Sequence, residues 1–293
     1  MRVSVVIPTY NSAALVVEAV ASVLAQTLPA FEIIVIDDGS TDDTATRLQH
    51  LPVTLIQQSN GGVADARNRG VASATGDLIA FLDADDVWHP QKLAVQVPLF
   101  ESDLGLLGTG HYDWPTDAVP KVPATLPAIV PVELDRLVIR NSLVTSTVIV
   151  RSSVLRAVGE FDRRLHGPED YDLWLRVAQQ ARCGIVPVNL TGYRTVAGSL
   201  SKNAVRMDEG MKLILDKLDT AGVFRGKQRL RRQAHGYYHY SAGFMHHTAG
   251  HRTGAVKHLL KSLLTYPGSY SREDVRYRFG RLRLLAAALK GTS

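Results

Sequence analysis

The chain has 293 residues, 45% of them hydrophobic and 21% charged, enough to bury a sizeable core in one large domain or two. No run approaches the roughly 18 apolar residues of a membrane span, the opening MRVSVVIPTYN reads as strand and turn rather than signal peptide, and the one cysteine, Cys183, excludes an internal disulfide framework and fits a reducing, cytoplasmic setting. The net charge of +5 is split: residues 1–200 carry 15 basic and 22 acidic side chains and residues 201–293 carry 18 and 6, so the two parts are expected to have different jobs or neighbours.

The first hundred residues alternate regularly. VSVVI (3–7) is a short run rich in β-branched residues and predicts a strand. After Asn11 and Ser12, which can cap, Val16, Val20, Val23 and Leu24 recur at helical spacing. EIIVI (32–36) is the next strand, and Asp38-Gly39-Ser40 turns the chain into a short helix. VTLIQ (53–57) follows, then Gly61-Gly62 and a helix with Val63, Ala66, Gly70 and Val71 on one side. DLIAFL (77–82) is the fourth strand, and Pro90 reads as the first residue of another helix. Strands apolar on both faces and separated by helices predict an α/β fold, its mostly parallel sheet covered on both sides.

The middle is less regular. Residues 113–131 hold five of the thirteen prolines and predict an irregular surface loop. STVIV (146–150) reads as a strand, PEDYDLWLRVAQQ (168–180) as a helix and CGIVPV (183–188) as a last strand. From about residue 203 the pattern is helical and basic, with Val256, Leu259, Leu260 and Leu263 on one face. AGHRTGAVKHLLKSLLTYP resembles half of a tetratricopeptide helix pair, but one copy does not make a repeat array.

Ligands of open parallel sheets bind outside the carboxyl ends of the strands. Four polar clusters fall there: Pro8-Thr9-Tyr10, Asp37-Asp38, Asn60-Gly61-Gly62 and Asp83-Ala84-Asp85. Asp83, Asp85 and Asp86 follow an apolar strand directly, where each like-charged pair at about 4 Å costs roughly 4 kcal/mol at an effective dielectric near 20. Something positive must answer them, or they sit in solvent. They would also suit a helix start, but Pro90 puts that cap near His89, too far on for all three.

VSVVIPTYN, VIDDGSTDDT, GGVADARNRG, FLDADD and GPEDYDLW together resemble a family 2 glycosyltransferase of the GT-A fold, over roughly residues 1–200. The resemblance implies a Rossmann-like catalytic domain over 1–202, with a nucleotide-sugar half (1–100) and an acceptor half (101–202), followed by a basic helical extension, 203–293. It implies a nucleotide-diphosphate sugar donor, UDP or dTDP type, with Pro8, Thr9, Tyr10 and Asp38 on base and ribose and Arg67 helping to hold the nucleotide. Asp83, Ala84 and Asp85 match the DXD motif, whose second carboxylate coordinates Mg²⁺ or Mn²⁺ on the diphosphate. Asp170 matches the base of an inverting transfer.

The chemistry agrees with that assignment. A departing diphosphate accumulates charge that a dication lowers, and hard cations take oxygen ligands. An acceptor hydroxyl must lose a proton, which a placed carboxylate can take. Glu169 and Asp172 compete with Asp170, though adjacent helical positions point about 100° apart, and all three would also suit the helix dipole. Trp174, four residues on, would border the acceptor pocket or pack in the core.

Processive synthases of the family carry a Gln-x-x-Arg-Trp motif and membrane helices; neither is in this sequence, which predicts addition of one sugar to a glycan, polysaccharide or lipid-linked acceptor. The basic extension is a solvated helical cap or leans on an anionic membrane, where each basic residue adds about 1 kcal/mol; no nucleic-acid motif is present. His235 and His239, then His246, His247 and His251, lack a nearby acidic ligand pattern and read as solvated or hydrogen-bonded. A nucleotidyltransferase would show a glycine-rich, basic loop after the first strand, where this chain has PTYNSA; a non-catalytic sugar-nucleotide or glycan-binding scaffold would have lost the carboxylates that are present here.

Overall fold

The structure, a computed structural model, describes residues 1–195, 203–268, 270 and 280–290. The expected division after residue 202 falls on residues outside the described ones. The chain forms two compact units: Met1–Glu133 with Leu143–Arg163 and Glu169–Ala197, and Leu134–Ser142 with Arg164–Pro168 and Gly198–Ser293. Two short segments of the first 200 residues therefore belong with the C-terminal helices.

The first unit is built on a nine-stranded sheet. β1 (Val3–Thr9), β2 (Glu32–Asp37), β3 (Thr54–Gln57) and β4 (Leu78–Phe81) pair in parallel in the order β3-β2-β1-β4. Their inner residues, among them Val5, Val6, Ile7, Val35, Ile36 and Phe81, are fully buried, each contributing about 1.5–3 kcal/mol of transfer free energy. That burial on both faces is why these strands read as unbroken apolar runs. α1 (Ala13–Leu24) covers the sheet with Val16, Val20 and Val23, whereas Leu24 lies off the stripe and is exposed. α2 (Thr44–Leu48) and α3 (Val63–Ser73) complete the crossovers. α3 lies close on β1 because Gly70 has no side chain: a Cβ there would collide with Val6.

Beyond β4 the direction changes. β5 (Val87–Trp88) precedes α4 (Lys92–Gln96), which is capped at Gln91. The expectation of a helix starting at Pro90 is therefore two residues early, because the chain first runs as β5 alongside the last strand. β6 (Leu104–Asp113) is a ten-residue strand that the sequence reading did not anticipate; it ends where the expected irregular loop, 113–131, begins. β7 (Val130–Pro131) ends the proline-rich loop. β8 (Ile149–Arg151) starts later than expected, since residues 145–147 form a 3₁₀ turn, and α6 (Ser152–Val158) follows. α7 (Glu169–Ala178) leads into β9 (Arg182–Tyr193), longer than the CGIVPV run. The order continues β4-β8-β6-β9-β5; β8 is antiparallel to β4 and β6, and β6 and β9 are parallel.

The second unit is helical. It contains α5 (Leu134–Leu137), α8 (Ala204–Thr220), α9 (Gln228–Thr248), α10 (Arg252–Thr265) and α11 (Gly280–Lys290). Asn203 caps α8, its side chain accepting from the Arg206 amide at 3.1 Å. α10 buries Ala255, His258, Leu259 and Ser262 while Leu260 is 46% exposed, so the buried stripe is rotated from the one expected and carries a histidine. Among the described residues no helix is long and apolar enough to cross a membrane.

Candidate active site

β1, β2 and β4 end at one edge of the sheet. In register, Thr9 lies opposite Asp37 and Val6 opposite Phe81, so the clusters at 8–10, 37–38 and 83–86 share that edge. Pro8 is inside β1, Thr9 is 3% exposed and Tyr10 is 49% exposed at the rim. The Thr9 hydroxyl is buried without a hydrogen-bond partner among the described residues, while the Thr9 carbonyl accepts from the Asp38 amide at 2.9 Å. Asp38 is itself locked: one carboxylate oxygen accepts from the Gly61 amide (2.9 Å) and Gln58 (2.8 Å), the other from the Gly62 amide (2.8 Å). Gly39 makes this possible; its φ is +79°, and a Cβ would lie 2.9 Å from the Asn60 amide nitrogen. The GG pair thus anchors Asp38 and positions the start of α3.

Arg67 connects the two halves of the site. It projects from α3, is 4% exposed, and its two amino groups donate to Asp83 Oδ1 at 2.7 Å and Glu169 Oε1 at 2.6 Å. Burial alone would lower its pKa, but Asp83, Glu169 and Asp170 outweigh that and raise it. An arginine on the apolar side of a helix is therefore accounted for by three carboxylates. Both of its amino groups are engaged on protein carboxylates, not turned toward solvent.

The three clustered aspartates differ sharply. Asp86 is 1% exposed; its Oδ1 accepts from the Arg194 amide at 2.9 Å and its Oδ2 has no well-formed hydrogen bond among the described residues. Burial, then the Asp83 charge, pushes it up to about 8, so it is largely protonated at neutral pH. Asp85 is partly exposed, without a side-chain hydrogen bond among the described residues, and burial and Asp83 raise its pKa. The Asp83 amide donates to the Ser146 hydroxyl oxygen (3.0 Å), and one Asp83 carboxylate oxygen accepts from Arg67. What remains, one Asp83 oxygen and the Asp85 carboxylate, is an all-oxygen donor set, only partly offset by Arg194 and Arg67, and it fits a hard dication that keeps water and phosphate as its other ligands.

Asp170 and Glu169 open α7 and diverge as adjacent helical positions must. Glu169 is 3% exposed and committed to Arg67. Asp170 is partly exposed; its Oδ2 accepts the Thr145 hydroxyl at 2.7 Å and its Oδ1 lies 2.6 Å from the Tyr171 amide. Burial, then the Glu169 charge, pushes Asp170 up to about 6 against the opposing effects of Arg67 and Thr145. Asp172 turns away onto Arg176 at 2.8 Å.

The two acceptor-side candidates are both engaged within the protein. Trp174 is fully buried, 6.0 Å from Phe81 and 6.3 Å from Phe161 between ring centres, and so is a core aromatic rather than a pocket wall. Glu169 holds Arg67 and offers no free carboxylate to a substrate. Thr145, Ser146 and Arg194 were not singled out from the sequence. Nothing in the linear pattern marks them, because they reach the site only when β8 and β9 join the sheet. Arg194 also donates from Nε to the Asp85 carbonyl at 2.9 Å.

Comparison with known proteins places the chain in a family. The sequence pattern described as glycosyl transferase family 2 matches residues 4–144. An Escherichia coli protein, UDP-Glc:alpha-D-GlcNAc-diphosphoundecaprenol beta-1,3-glucosyltransferase WfaP, is 30% identical over 211 residues, covering 69% of this chain and 80% of that one. The chain belongs to glycosyltransferase family 2. An uncharacterized glycosyltransferase of Nostoc sp., alr2836, is 45% identical over 118 residues, and one of Rickettsia conorii, RC0461, is 29% identical over 202. The matched parts span 36% and 33% of those relatives, about a third of their length. Among solved structures, S. aureus TarS 1-349 aligns over 100% of this chain and 92% of its own with a TM-score of 0.66 at 21% identity. The mannosyltransferase PcManGT from Pyrobaculum calidifontis, in complex with GDP-Man and Mn²⁺, aligns over 99% and 86% with a TM-score of 0.62 at 20% identity. At those identities the likeness shows the fold, the GT-A architecture with C-terminal helices.

Proposed function

We propose that this family 2 chain transfers a single sugar from a nucleotide-diphosphate donor to an acceptor hydroxyl with inversion at the anomeric carbon, Asp170 acting as the base. The observation that carries the reading is the Arg67 bridge: one buried guanidinium ties Asp83 at the end of β4 to Glu169 beside Asp170. The donor-side carboxylates and the base thereby belong to one charged cluster at the ligand edge of the sheet.

In this reading Thr9, Tyr10 and Asp38 with Pro8 shape the base and ribose end, and the unpartnered Thr9 hydroxyl is free to meet the ligand. Asp85 and Asp83 would hold Mg²⁺ or Mn²⁺, which when bound neutralises the charge developing on the departing diphosphate. Asp170 accepts the proton of the acceptor hydroxyl as its oxygen bonds to the anomeric carbon and the sugar–phosphate bond breaks on the opposite face. Its raised pKa makes it a stronger base than an ordinary carboxylate while leaving it mostly ionised at pH 7. Thr145 keeps the Asp170 carboxylate oriented, and Arg67 pairs with Asp83 and Glu169, holding the two halves of the site together.

TarS has been solved with UDP and with UDP-GlcNAc, and the WfaP name specifies a diphosphoundecaprenol-linked acceptor. These favour a UDP-type donor and a lipid-linked acceptor for this chain, used on the cytoplasmic side of a membrane that the basic C-terminal helices would lean on. A panel of nucleotide sugars with Mn²⁺, read by nucleoside diphosphate release with and without acceptor, tests the proposal. Turnover supports the enzyme; saturable binding without turnover would make the chain a sugar-nucleotide scaffold instead.

A further inference from the structure

The helical unit gathers groups that have no part in the chemistry above. Asp208 of α8, His246 of α9 and His258 of α10 place one ligand atom each within 4.8 Å of one another. They are 38 and 12 residues apart in sequence, so only the fold brings them together. His246 and His258 are 8% and 7% exposed. The close approach is built by small residues: a Cβ on Gly243 would lie 2.8 Å from Leu259, and one on Gly254 would lie 3.0 Å from the His246 ring.

The details of the contacts favour an ion at the centre. Both Nε2 atoms face the same oxygen, Asp208 Oδ2, at 3.2 Å from His258 and 3.5 Å from His246. Charge-assisted hydrogen bonds to a carboxylate are shorter, about 2.7–2.9 Å. Ligand atoms about 2.05 Å from a tetrahedral Zn²⁺ are separated by about 3.3 Å, which the two observed separations straddle. The outer contacts agree as well. His258 Nδ1 meets His239 Nδ1 at 3.1 Å, and His246 Nδ1 meets His251 Nδ1 at 3.3 Å. Each such pair needs one hydrogen between two nitrogens. Where His239 and His251 supply it, the Nε2–H groups of His258 and His246 donate to Asp208; where His258 and His246 supply it, both Nε2 lone pairs face Asp208 Oδ2, the arrangement a cation between them requires. Metal-bound histidines characteristically donate their other ring N–H in this way. The second Asp208 oxygen accepts the Tyr238 hydroxyl at 2.6 Å, which keeps Oδ2 turned inward.

We propose that Asp208, His246 and His258 form a structural site for a borderline transition metal, Zn²⁺ first, which ties α8, α9 and α10 together with water in the fourth position. Two nitrogens and one carboxylate suit Zn²⁺ and not Mg²⁺, which takes oxygen ligands. The site is independent of the Asp83–Asp85 set and of the transfer reaction.

The test uses the full chain, stripped with a chelator, dialysed against Zn²⁺ and passed over a desalting column. The expected result is about one Zn²⁺ retained per chain by elemental analysis. Retention should fall at least about tenfold in His246→Ala/His258→Ala and remain in His50→Ala, an exposed control, and in Asp85→Ala. Zn²⁺ should also raise the midpoint of helix melting by far-UV circular dichroism in the parent chain and not in the double variant. If that variant does not fold, Co²⁺ titration of the parent is read instead, with the intense visible bands of tetrahedral coordination expected. Loss of Zn²⁺ on the column, equal retention by the double variant, or a Co²⁺ spectrum unchanged from buffer would each overturn the proposal and leave a hydrogen-bonded histidine cluster.

Discussion

Asp86 gives the sharpest test of how the acidic cluster is tolerated. A carboxylate at that position would be a buried charge beside Asp83, with one oxygen lacking a well-formed hydrogen bond among the described residues. Burial pushes its pKa up to about 8, whereas an unfolded aspartate titrates near 3.9. Between those two values the folded chain keeps a proton that the unfolded chain has released, so stability from this group is fully present below about pH 3.9 and is lost as pH rises through about 8. Each pH unit in that window costs about 1.36 kcal/mol. Asp86→Asn keeps the shape and cannot titrate. From about pH 5.5 to 7.5, the stability of the parent relative to Asp86→Asn should therefore fall by about 2.7 kcal/mol. Urea unfolding followed by tryptophan fluorescence reads this cleanly, because Trp88, Trp114 and Trp174 all lie in the same unit as Asp86. A difference that is the same at both pH values would refute the reasoning and mean that Asp86 is ionised.

Three further outcomes follow from the site. Thr145→Val removes a hydrogen bond to ionised Asp170; bonds to charged groups contribute about 1.5–3 kcal/mol, so the acid limb of kcat/KM, expected near pH 6 and falling as the base protonates, should move up by about one unit or more. Arg67→Met strands buried Glu169 and should cost about 3–5 kcal/mol in urea unfolding, with Glu169→Gln in the same background recovering part of the loss. Asp85→Ala should weaken donor binding in Mn²⁺ by calorimetry while leaving binding in chelator nearly unchanged; equal affinity in Mn²⁺ would count against its role.

The first hundred residues were legible because their physics is local. VSVVI, EIIVI and DLIAFL are buried on both faces, so their composition alone marks strands, and the polar residues that follow mark one edge. β6 was hidden by its own packing. Gly105, Gly108 and Gly110 interrupt LGLLGTGHYD, yet a Cβ at Gly105 would collide with Ala181 and one at Gly110 with Asn189, so the glycines serve close approach rather than a turn. Pro90 misled because a two-residue strand, β5, intervenes before the helix. Trp174 carried either reading in sequence, and only its burial against Phe81 and Phe161 decides it. The histidine cluster was unreadable for a plainer reason: its acidic member, Asp208, lies on another helix, and no spacing rule links three helices.

The central claim is that Asp170 accepts the acceptor proton in a site completed by Asp83 and Asp85. Single-turnover transfer from the active nucleotide sugar, with donor affinity measured in parallel, tests it most directly. Asp170→Asn should retain donor affinity within about twofold while transfer falls about 10²–10⁴-fold, the range a general base contributes. Transfer at the parent rate in Asp170→Asn would contradict the claim and require another base.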